Sequence, residues 1–508
     1  MFSHINSMGL MGLDAFMVDV EADISSGPLR FDIVGLPDAA VSESKERVRA
    51  AVNNCGYEFP VSHVTVNLAP ADVKKAGPLY DLPIFMALLK ATEQISGDLS
   101  DTAFIGELSL GGSLRHISGA LPMVLAAKAA GIKEVFLPKE NEGEVAAITG
   151  ISIYPAESVE EIVDHINGIT ALKPLEPVEF RQAQDLSALP DFSQVKGQYK
   201  AKRALEVAAA GSHNILMIGP PGSGKSMLAK RLPSILPDMS FEEALESTKV
   251  YSIAGLLKGK DTLIRTRPFR SPHHTVSAAG MSGGGSVPKP GELSLAHKGV
   301  LFLDELPEFS KAAIESLRQP LEDGVITISR ASYTLSYPCS VMLVCAMNPC
   351  PCGFLGHPKR KCTCPKGAVQ KYLSKISGPL LDRVDIHIEV PPVDFSDLSR
   401  EGNEESSAAI KERVEKARKL QRERFKGTKI TSNARMDSAA VRKFCVLSSD
   451  AAEFLKSAFD RLDLSARAYE RILKVARTIA DLDGKETIEK KHIMEGVQYR
   501  SLDRKYWY

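Results

Sequence analysis

The sequence predicts an α/β protein whose centre is a parallel sheet, and three observations carry that reading. Four consecutive apolar residues, Ile215-Leu216-Met217-Ile218, run into the glycine-rich stretch 219–226 and then into the helical pattern of Met227 to Leu232. A second wholly apolar run, Val300-Leu301-Phe302-Leu303, ends on two carboxylates, Asp304 and Glu305. Residues 1 to about 170 alternate strand-like and helical runs, whereas from about 391 the pattern is helical. Short apolar runs bounded by turn signals suit strands buried on both faces of a sheet.

The stretch Gly219-Pro220-Pro221-Gly222-Ser223-Gly224-Lys225-Ser226 fits G-x-x-x-x-G-K-[ST], the phosphate loop of nucleotide hydrolases. That motif needs a strand before it and a helix after it, and both are present. Glycines let the backbone curl until several N–H groups face one phosphate. The helix N-terminus adds partial positive charge. Lys225 can reach the β- and γ-phosphates, and the Ser226 hydroxyl can ligate Mg²⁺. A glycine turn beside a surface lysine is the ordinary alternative, and the flanking elements argue against it.

Asp304 and Glu305 end a buried strand at the sheet edge where open α/β sheets bind ligands. Asp304 would hold Mg²⁺ through its water shell, and Glu305 would orient and deprotonate the attacking water. Two acids can also simply solvate the end of a strand.

Length and composition set the frame. A chain of 508 residues suggests roughly three domains. Lys plus Arg equals Asp plus Glu, 63 each, so net charge favours neither nucleic acid nor a membrane surface, and any polyanion contact must be local. The start Met1-Phe2-Ser3-His4-Ile5-Asn6 lacks the basic opening of a signal peptide, and no apolar stretch is long enough to span a bilayer. The expectation is a cytoplasmic enzyme with no membrane partner. In that setting eight cysteines read as thiols or metal ligands rather than disulfides.

In chain order, the first 170 residues give a strand at Phe31 to Pro37, a helix at Ala40 to Val52, a strand at Val64 to Leu68, helices at Leu82 to Thr92 and Met123 to Ala130, and a strand at Glu134 to Pro138. Residues 171–193 carry Pro174, Pro177 and Pro190 without periodicity and read as a linker. Asp191 to Gln198 leads into a helix over Ala201 to Ala210.

The tract 241–298 holds Arg267 to His274 and then Gly280-Met281-Ser282-Gly283-Gly284. The latter fits G-x-S-x-G, but a nucleophile elbow needs a preceding strand that the pattern lacks. A mobile loop presenting Arg270, His273 and Lys289, or a plain surface insertion, are the two readings. Residues 323–337 alternate at period two and predict a hairpin whose tip, near Arg330 and Ser332, could probe a substrate. Val341 to Met347 is the next buried strand.

Cys350-Pro351-Cys352 and Cys362-Thr363-Cys364 form two C-x-C pairs around a short basic loop, Lys359 to Lys361. Cys350, Cys352, Cys362 and Cys364 could supply four thiolates to one Zn²⁺, or remain reduced thiols. After 391, Ile410, Val414, Ala417 and Phe425 share one helical face, while Lys411, Arg413, Lys416, Arg418, Lys419 and Arg422 make the rest basic. Leu464 to Leu473 opens another helix. The aromatic and basic end, Arg504 to Tyr508, could stack on bases or pack.

Two resemblances add to this. Ala76 to Asp81, Gly106-Glu107-Leu108, Leu125 to Lys133 and Leu137 to Asn141 resemble the proteolytic domain of Lon proteases, a ribosomal S5 domain 2-like fold. That family uses a Ser–Lys dyad, and alignment on these blocks puts Leu79 and Leu121 at the two catalytic positions. Leucine offers neither nucleophile nor base. The resemblance therefore implies a non-proteolytic domain, 1–170, used for assembly or substrate contact.

The rest resembles AAA+ ATPases. By that resemblance 194–390 is the ATPase core with its cysteine loop at 350–364, and 391–508 is a C-terminal helical lid of the magnesium-chelatase type. Val195, Gln198 and His213 fall where the adenine pocket is. Asn348 matches the sensor 1 residue at the γ-phosphate. Arg383, in Ser377 to Asp385, resembles an arginine finger acting on a neighbouring subunit, with a pair to Asp382 or Asp385 as the local alternative. Arg467 matches the sensor 2 arginine of the lid. Essentially the whole chain resembles the ComM/YifB group of magnesium-chelatase-like AAA+ ATPases, and the four-cysteine loop fits the ComM side.

What this implies is a Mg-ATP hydrolase that forms a nucleotide-dependent homo-hexamer, moves on single-stranded and branched DNA and promotes branch migration in natural transformation. A metal-inserting remodeller of a partner, or a protein unfoldase that lost its protease, are the alternatives.

Overall fold

The computed structural model of the chain describes residues 1–180, 189–257, 263–285, 288–330, 333–393, 404–502 and 506–507. It divides into two compact units. One comprises Met1–Arg181, Phe241–Ile264 and Ser329–Tyr337, the other Gln182–Ser240, Arg265–Ile328 and Pro338–Tyr508.

The first unit is a seven-stranded mixed sheet in the order Arg30–Val34, His63–Ala69, Asp14–Ser25, Phe2–Met11, Thr102–Phe104, Glu134–Pro138, Ser152–Ala156. Helices Ala39–Asn54, Asp81–Ala91 and Ala120–Ala129 fall where the apolar periodicity put them. Val41, Val48 and Val52 face the core, and the Asp38 carboxylate caps the first of these helices by accepting from the Val41 N–H at 2.8 Å. The long hairpin Phe2–Met11 and Asp14–Ser25 has no clean apolar alternation, because polar side chains are buried in it. They are satisfied at long range: Ser7 Oγ donates to Phe104 O at 2.9 Å, and Asn6 Nδ2 to Ser100 O at 2.8 Å. Helix Phe241–Ala254, from the tract read as loop or insertion, belongs to this unit and contributes Ala244 to its core. Residues 171–180 have no regular structure, yet Leu175 N–H donates to Ile153 O and Val178 N–H to Ala146 O, both at 2.7 Å.

The second unit is built on five parallel strands in the order Phe269–Arg270, Val300–Leu303, Met342–Met347, Ile215–Ile218, Ile386–Glu389. Side chains alternate between its faces. Ile215, Met217, Phe302, Val344 and Ile388 pack with helix Tyr199–Gly211 and with Ile410, Val414, Val475 and Ile479 of the C-terminal helices. Leu216, Ile218, Leu303, Cys345 and Met347 pack on the other face with Met281, Leu306, Ile314 and Tyr372. Tyr506 is buried in that second cluster, so the C-terminal aromatic pair packs. Helices Ser407–Arg424 and Ala466–Leu482 begin with serine caps, Ser406 and Ser465.

Part of the basic face expected after 391 is paired, while Lys416 and Arg422 stay largely exposed. Lys411 pairs with Asp238 at 2.5 Å, Arg413 with Glu206 at 2.5 Å, and Arg424 with Asp481 at 2.5 Å.

A buried polar network ties the helices to the sheet. Asp385 Oδ2 meets His213 Nδ1 at 3.0 Å, and His213 Nε2 meets Thr478 Oγ1 at 2.8 Å. Asn433 Nδ2 donates to Thr478 Oγ1 at 3.1 Å and to Asp481 Oδ2 at 2.8 Å, and Arg471 pairs with the other oxygen of Asp385. Burial alone would raise the Asp385 carboxyl, but Arg471, His213 and Lys474 hold it well below the ordinary value of 3.8.

Asp385→Ala leaves buried cations without their anion and is expected to destabilise the second unit by about 3–5 kcal/mol. Because the folded-state value is depressed, this contribution is complete above pH 3.8 and is lost as pH falls below it. Denaturant unfolding of wild type and variant at neutral pH and near pH 3 checks both: the gap between them should narrow in acid.

Candidate active site

The strand Ile215–Ile218 delivers the glycine-rich loop at its C-terminal end, and helix Lys225–Arg231 leaves it. Gly222 and Gly224 lie at φ 77° and 92°, where an L side chain is strained. A Cβ at either position would meet nothing within 4 Å, so it is the backbone conformation and not crowding that calls for glycine here. Lys225 Nζ is turned inward. It donates to Gly219 O at 2.7 Å, Pro220 O at 2.9 Å and Asn348 Oδ1 at 3.3 Å. Burial lowers its pKa, with Asp304 and Glu305 acting the other way.

The adjacent strands set the other groups around that loop. Ser226 Oγ donates to Asp304 Oδ2 at 2.5 Å, and the Glu305 N–H donates to Asp304 Oδ1 at 3.0 Å. Glu305 has left-handed backbone, φ 52°, and its side chain is 58 % exposed. Non-glycine residues in that region cost on the order of 1–3 kcal/mol and cluster at functional sites. Five residues from three places in the sequence, Lys225, Ser226, Asp304, Glu305 and Asn348, thus meet at one sheet edge. The hydroxyl–carboxylate pair and an inward lysine suit a Mg²⁺–triphosphate.

His274, which the sequence reading passed over for His273, lies with Nδ1 3.8 Å from Glu305 Oε2. Strand Phe269–Arg270 pairs in parallel with Val300–Leu301 and carries this segment alongside the acidic strand. The signal was a short apolar–basic step before the histidine pair, too short to read as a strand.

Of the approach segment, Val195 is buried and Gln198 takes φ 57°. Gln198 Nε2 donates to Pro391 O at 2.6 Å and to Ser223 O at 3.2 Å, which ties it to the phosphate loop. His213 is enclosed in the Asp385–Thr478 network. Arg383 is 11 % exposed and pairs with Glu322 at 2.7 Å rather than with Asp382 or Asp385; its Nη1 also donates to Pro379 O at 2.6 Å. Arg467 is 70 % exposed and lies 3.3 Å from Asp382.

Arg270 forms a bidentate pair with Glu292 at 2.7 and 2.8 Å, and Gly280 to Ser282 lies in helix Ala278–Ser282 with Met281 in the core. The elbow motif therefore begins inside a helix and runs into a short strand, Gly283–Gly284, the reverse of the strand-then-helix order that an elbow needs. The hairpin Val325–Arg330 and Tyr333–Pro338 forms as expected. Ser332 at its tip lies outside the described residues.

The Sγ atoms of Cys350, Cys352, Cys362 and Cys364 lie within 4.8 Å of one another, with the closest pairs at 3.4 and 3.6 Å. A tetrahedral Zn²⁺ with bonds of about 2.3 Å sets sulfurs about 3.8 Å apart. A backbone N–H points at one of the sulfurs, from Cys352 to Cys364 Sγ at 3.3 Å. Such donors stabilise thiolates.

In the first unit Leu79 and Leu121 are buried core side chains. Beside Leu79, Asp81 is fully engaged with Arg47 at 2.7 and 3.0 Å, a structural pin with no nucleophile.

A phosphate loop, an acidic strand and a polar strand end on a five-stranded parallel sheet, followed by a helical lid, define an AAA+-type nucleotide hydrolase core. Residues 191–398 match the family described as magnesium chelatase, subunit ChlI; residues 20–141 match subunit ChlI of Mg-chelatase, and 404–500 its C-terminal region. The chain is 43% identical over 506 residues to the uncharacterized protein YifB of Escherichia coli, covering 99% of this chain and 97% of that one. It is 42% identical over 505 residues to the competence protein ComM of Haemophilus influenzae, covering 98% and 97%. It is also 30% identical over 149 residues to a Lon protease of Methanosarcina barkeri, covering 28% and 18%. The chain belongs to the ComM/YifB-type magnesium-chelatase-like family, a family of AAA+ ATPases with a Lon-like N-terminal region. Among the described residues no helix is long and apolar enough to cross a membrane.

Proposed function

We propose that this protein is a Mg-ATP-driven motor that moves on single-stranded and branched DNA and promotes branch migration when incoming strands recombine in natural transformation. The observation that carries the enzymatic part is the convergence of Lys225, Ser226, Asp304, Glu305 and Asn348 around the glycine loop. The near full-length likeness to a competence protein supports the DNA part. We place the motor in the cytoplasm, where its DNA and ATP would be, as a nucleotide-dependent homo-hexamer.

In this reading Gly219 to Ser226 cradle the phosphates and Val195 and Gln198 border the base. Ser226 and Asp304 hold Mg²⁺, whose charge would offset that of the phosphates. Glu305 accepts the proton of the attacking water, and Asn348 positions that water. Arg467, on the lid, reaches the nucleotide of its own subunit. Arg383 reaches that of the neighbour, and its pair with Glu322 is the contact it gives up on ring assembly. Cys350, Cys352, Cys362 and Cys364 hold one structural Zn²⁺. The domains act as an N-terminal contact module over 1–170, a linker over 171–193, a core over 194–390 and a lid over 391–508. The ChlI match keeps a second reading in view, a remodeller of a protein partner.

Glu305→Gln should bind ATP with wild-type affinity and lose turnover by about 10²–10⁴-fold, because the base is lost and the cradle kept; nucleotide titration and phosphate release measure the two separately. Arg383→Ala should also lose turnover. Mixing it with a Lys225→Ala subunit, which keeps Arg383, should restore part of the activity if the arginine acts in trans.

The reading as a whole is tested by steady-state ATPase rates with no addition, single-stranded DNA, a branched junction and unfolded protein, each at two salt concentrations. DNA stimulation that weakens with salt and is larger on the junction is expected. A response to unfolded protein or to no polymer would transfer the motor to a remodelling role.

A further inference from the structure

The four-cysteine loop does not stand apart from the nucleotide loop. Cys350 follows Asn348 by two residues at the end of strand Met342–Met347 and is fully buried. Cys352 leads directly to Gly353, which has φ +81°. A Cβ at Gly353 would lie 2.7 Å from Pro221 Cγ and closer still to Pro221 Cδ. The backbone of the cysteine loop is therefore seated against the phosphate loop, with room for hydrogen alone at the contact.

The position of Gly353 follows from its neighbours. Its N–H donates to Cys350 O at 2.9 Å, the Cys352 N–H reaches Cys364 Sγ at 3.3 Å, and Cys350 Sγ lies 3.6 Å from Cys362 Sγ. The cross-loop ties are thus sulfur contacts. Without a metal they are weak thiol hydrogen bonds; with four thiolates on one Zn²⁺ they become a rigid closure.

We infer that the zinc-closed cysteine loop is a brace for the phosphate loop: by fixing Gly353 against Pro221 it holds the cradle in its nucleotide-binding shape, so metal occupancy and nucleotide affinity are coupled. This rests on the reading of Cys350, Cys352, Cys362 and Cys364 as zinc ligands. The coupling is reciprocal by linkage. Bound nucleotide, which fixes Pro221 from the other side, must make the metal harder to remove.

The test uses the full-length protein. Elemental analysis is expected to give about one zinc per chain, and Co²⁺ in its place should show thiolate charge-transfer bands and intense tetrahedral d–d bands. A folded protein without zinc and without those bands removes the zinc reading, and the inference with it. With zinc present, two measurements address the brace itself. In the wild type, the zinc dissociation constant, read at equilibrium by competition with a chromogenic chelator, should fall about 5–10-fold in saturating non-hydrolysable ATP analogue. Gly353→Ala keeps every cysteine but must displace Pro221; it should retain zinc and lose affinity for a fluorescent ATP analogue about 10-fold. Gly356→Ala is the control, since Gly356 has φ +75° in the same loop with nothing within 4 Å of its Cβ position; it should bind nucleotide as wild type does. Equal zinc affinities with and without nucleotide overturn the brace while leaving the metal site standing. Zinc-replete Gly353→Ala with wild-type affinity does the same. If Gly353→Ala fails to fold, the wild-type zinc affinities decide.

Discussion

The second unit depends on one buried carboxylate. Asp385 enters the strand beside the phosphate-loop strand, and its two oxygens are divided between His213 and Arg471. His213 sits just before Ile215, while Thr478, its other partner, and Arg471 are on the long C-terminal helix. One ionised group thus joins the start of the nucleotide strand to the helical lid. Buried ion pairs are seldom net stabilisers, since desolvation consumes most of the Coulombic gain. Their better use is specificity, and here a hydrophobic contact would tolerate sliding where this chain of hydrogen bonds does not. Arg467 lies one turn before Arg471 and pairs with Asp382. The same helix therefore grips both ends of the tetrapeptide that carries Arg383.

How much of this was readable in the sequence follows from what each element rests on. The strands Ile215–Ile218, Val300–Leu303 and Met342–Met347 were legible because burial on both faces demands continuous apolar runs. The five residues at the sheet edge were legible because each immediately follows one of those runs or the loop. The hairpin Phe2–Met11 and Asp14–Ser25 was not: Ser3, Asn6 and Ser7 are buried polar residues whose partners lie 84 to 97 residues away. Arg383 was legible as a conspicuous arginine, but its partner Glu322 depends on how helix Arg318–Asp323 crosses the sheet, and no local pattern encodes that. The seat of Gly353 on Pro221 was hidden for the same reason. Composition marked the helix as basic, but not that Lys411, Arg413 and Arg424 find partners in distant segments, Asp238, Glu206 and Asp481.

In the first unit, the positions that the Lon resemblance assigns to a catalytic dyad hold two buried leucines. Leu79 and Leu121 fill space where a dyad would need polar neighbours and solvent access. Asp81 is held by Arg47 and by the Leu108 N–H, so it is consumed in fixing the chain near Gly77. Burial raises its carboxyl and the Arg47 bonds oppose that, which suits a permanent pair better than a group meant to exchange protons.

The way the chain is apportioned has a consequence for its synthesis. It passes between the units after residues 181, 240, 264 and 328 and again after 337. Helix Phe241–Ala254 supplies Ala244 to the first unit's core, Leu263 joins that core, and the Gly119 N–H donates to Ser252 O at 3.2 Å. The core of the amino-terminal unit is therefore completed by residues translated after the glycine loop. Neither unit is one contiguous stretch of the chain.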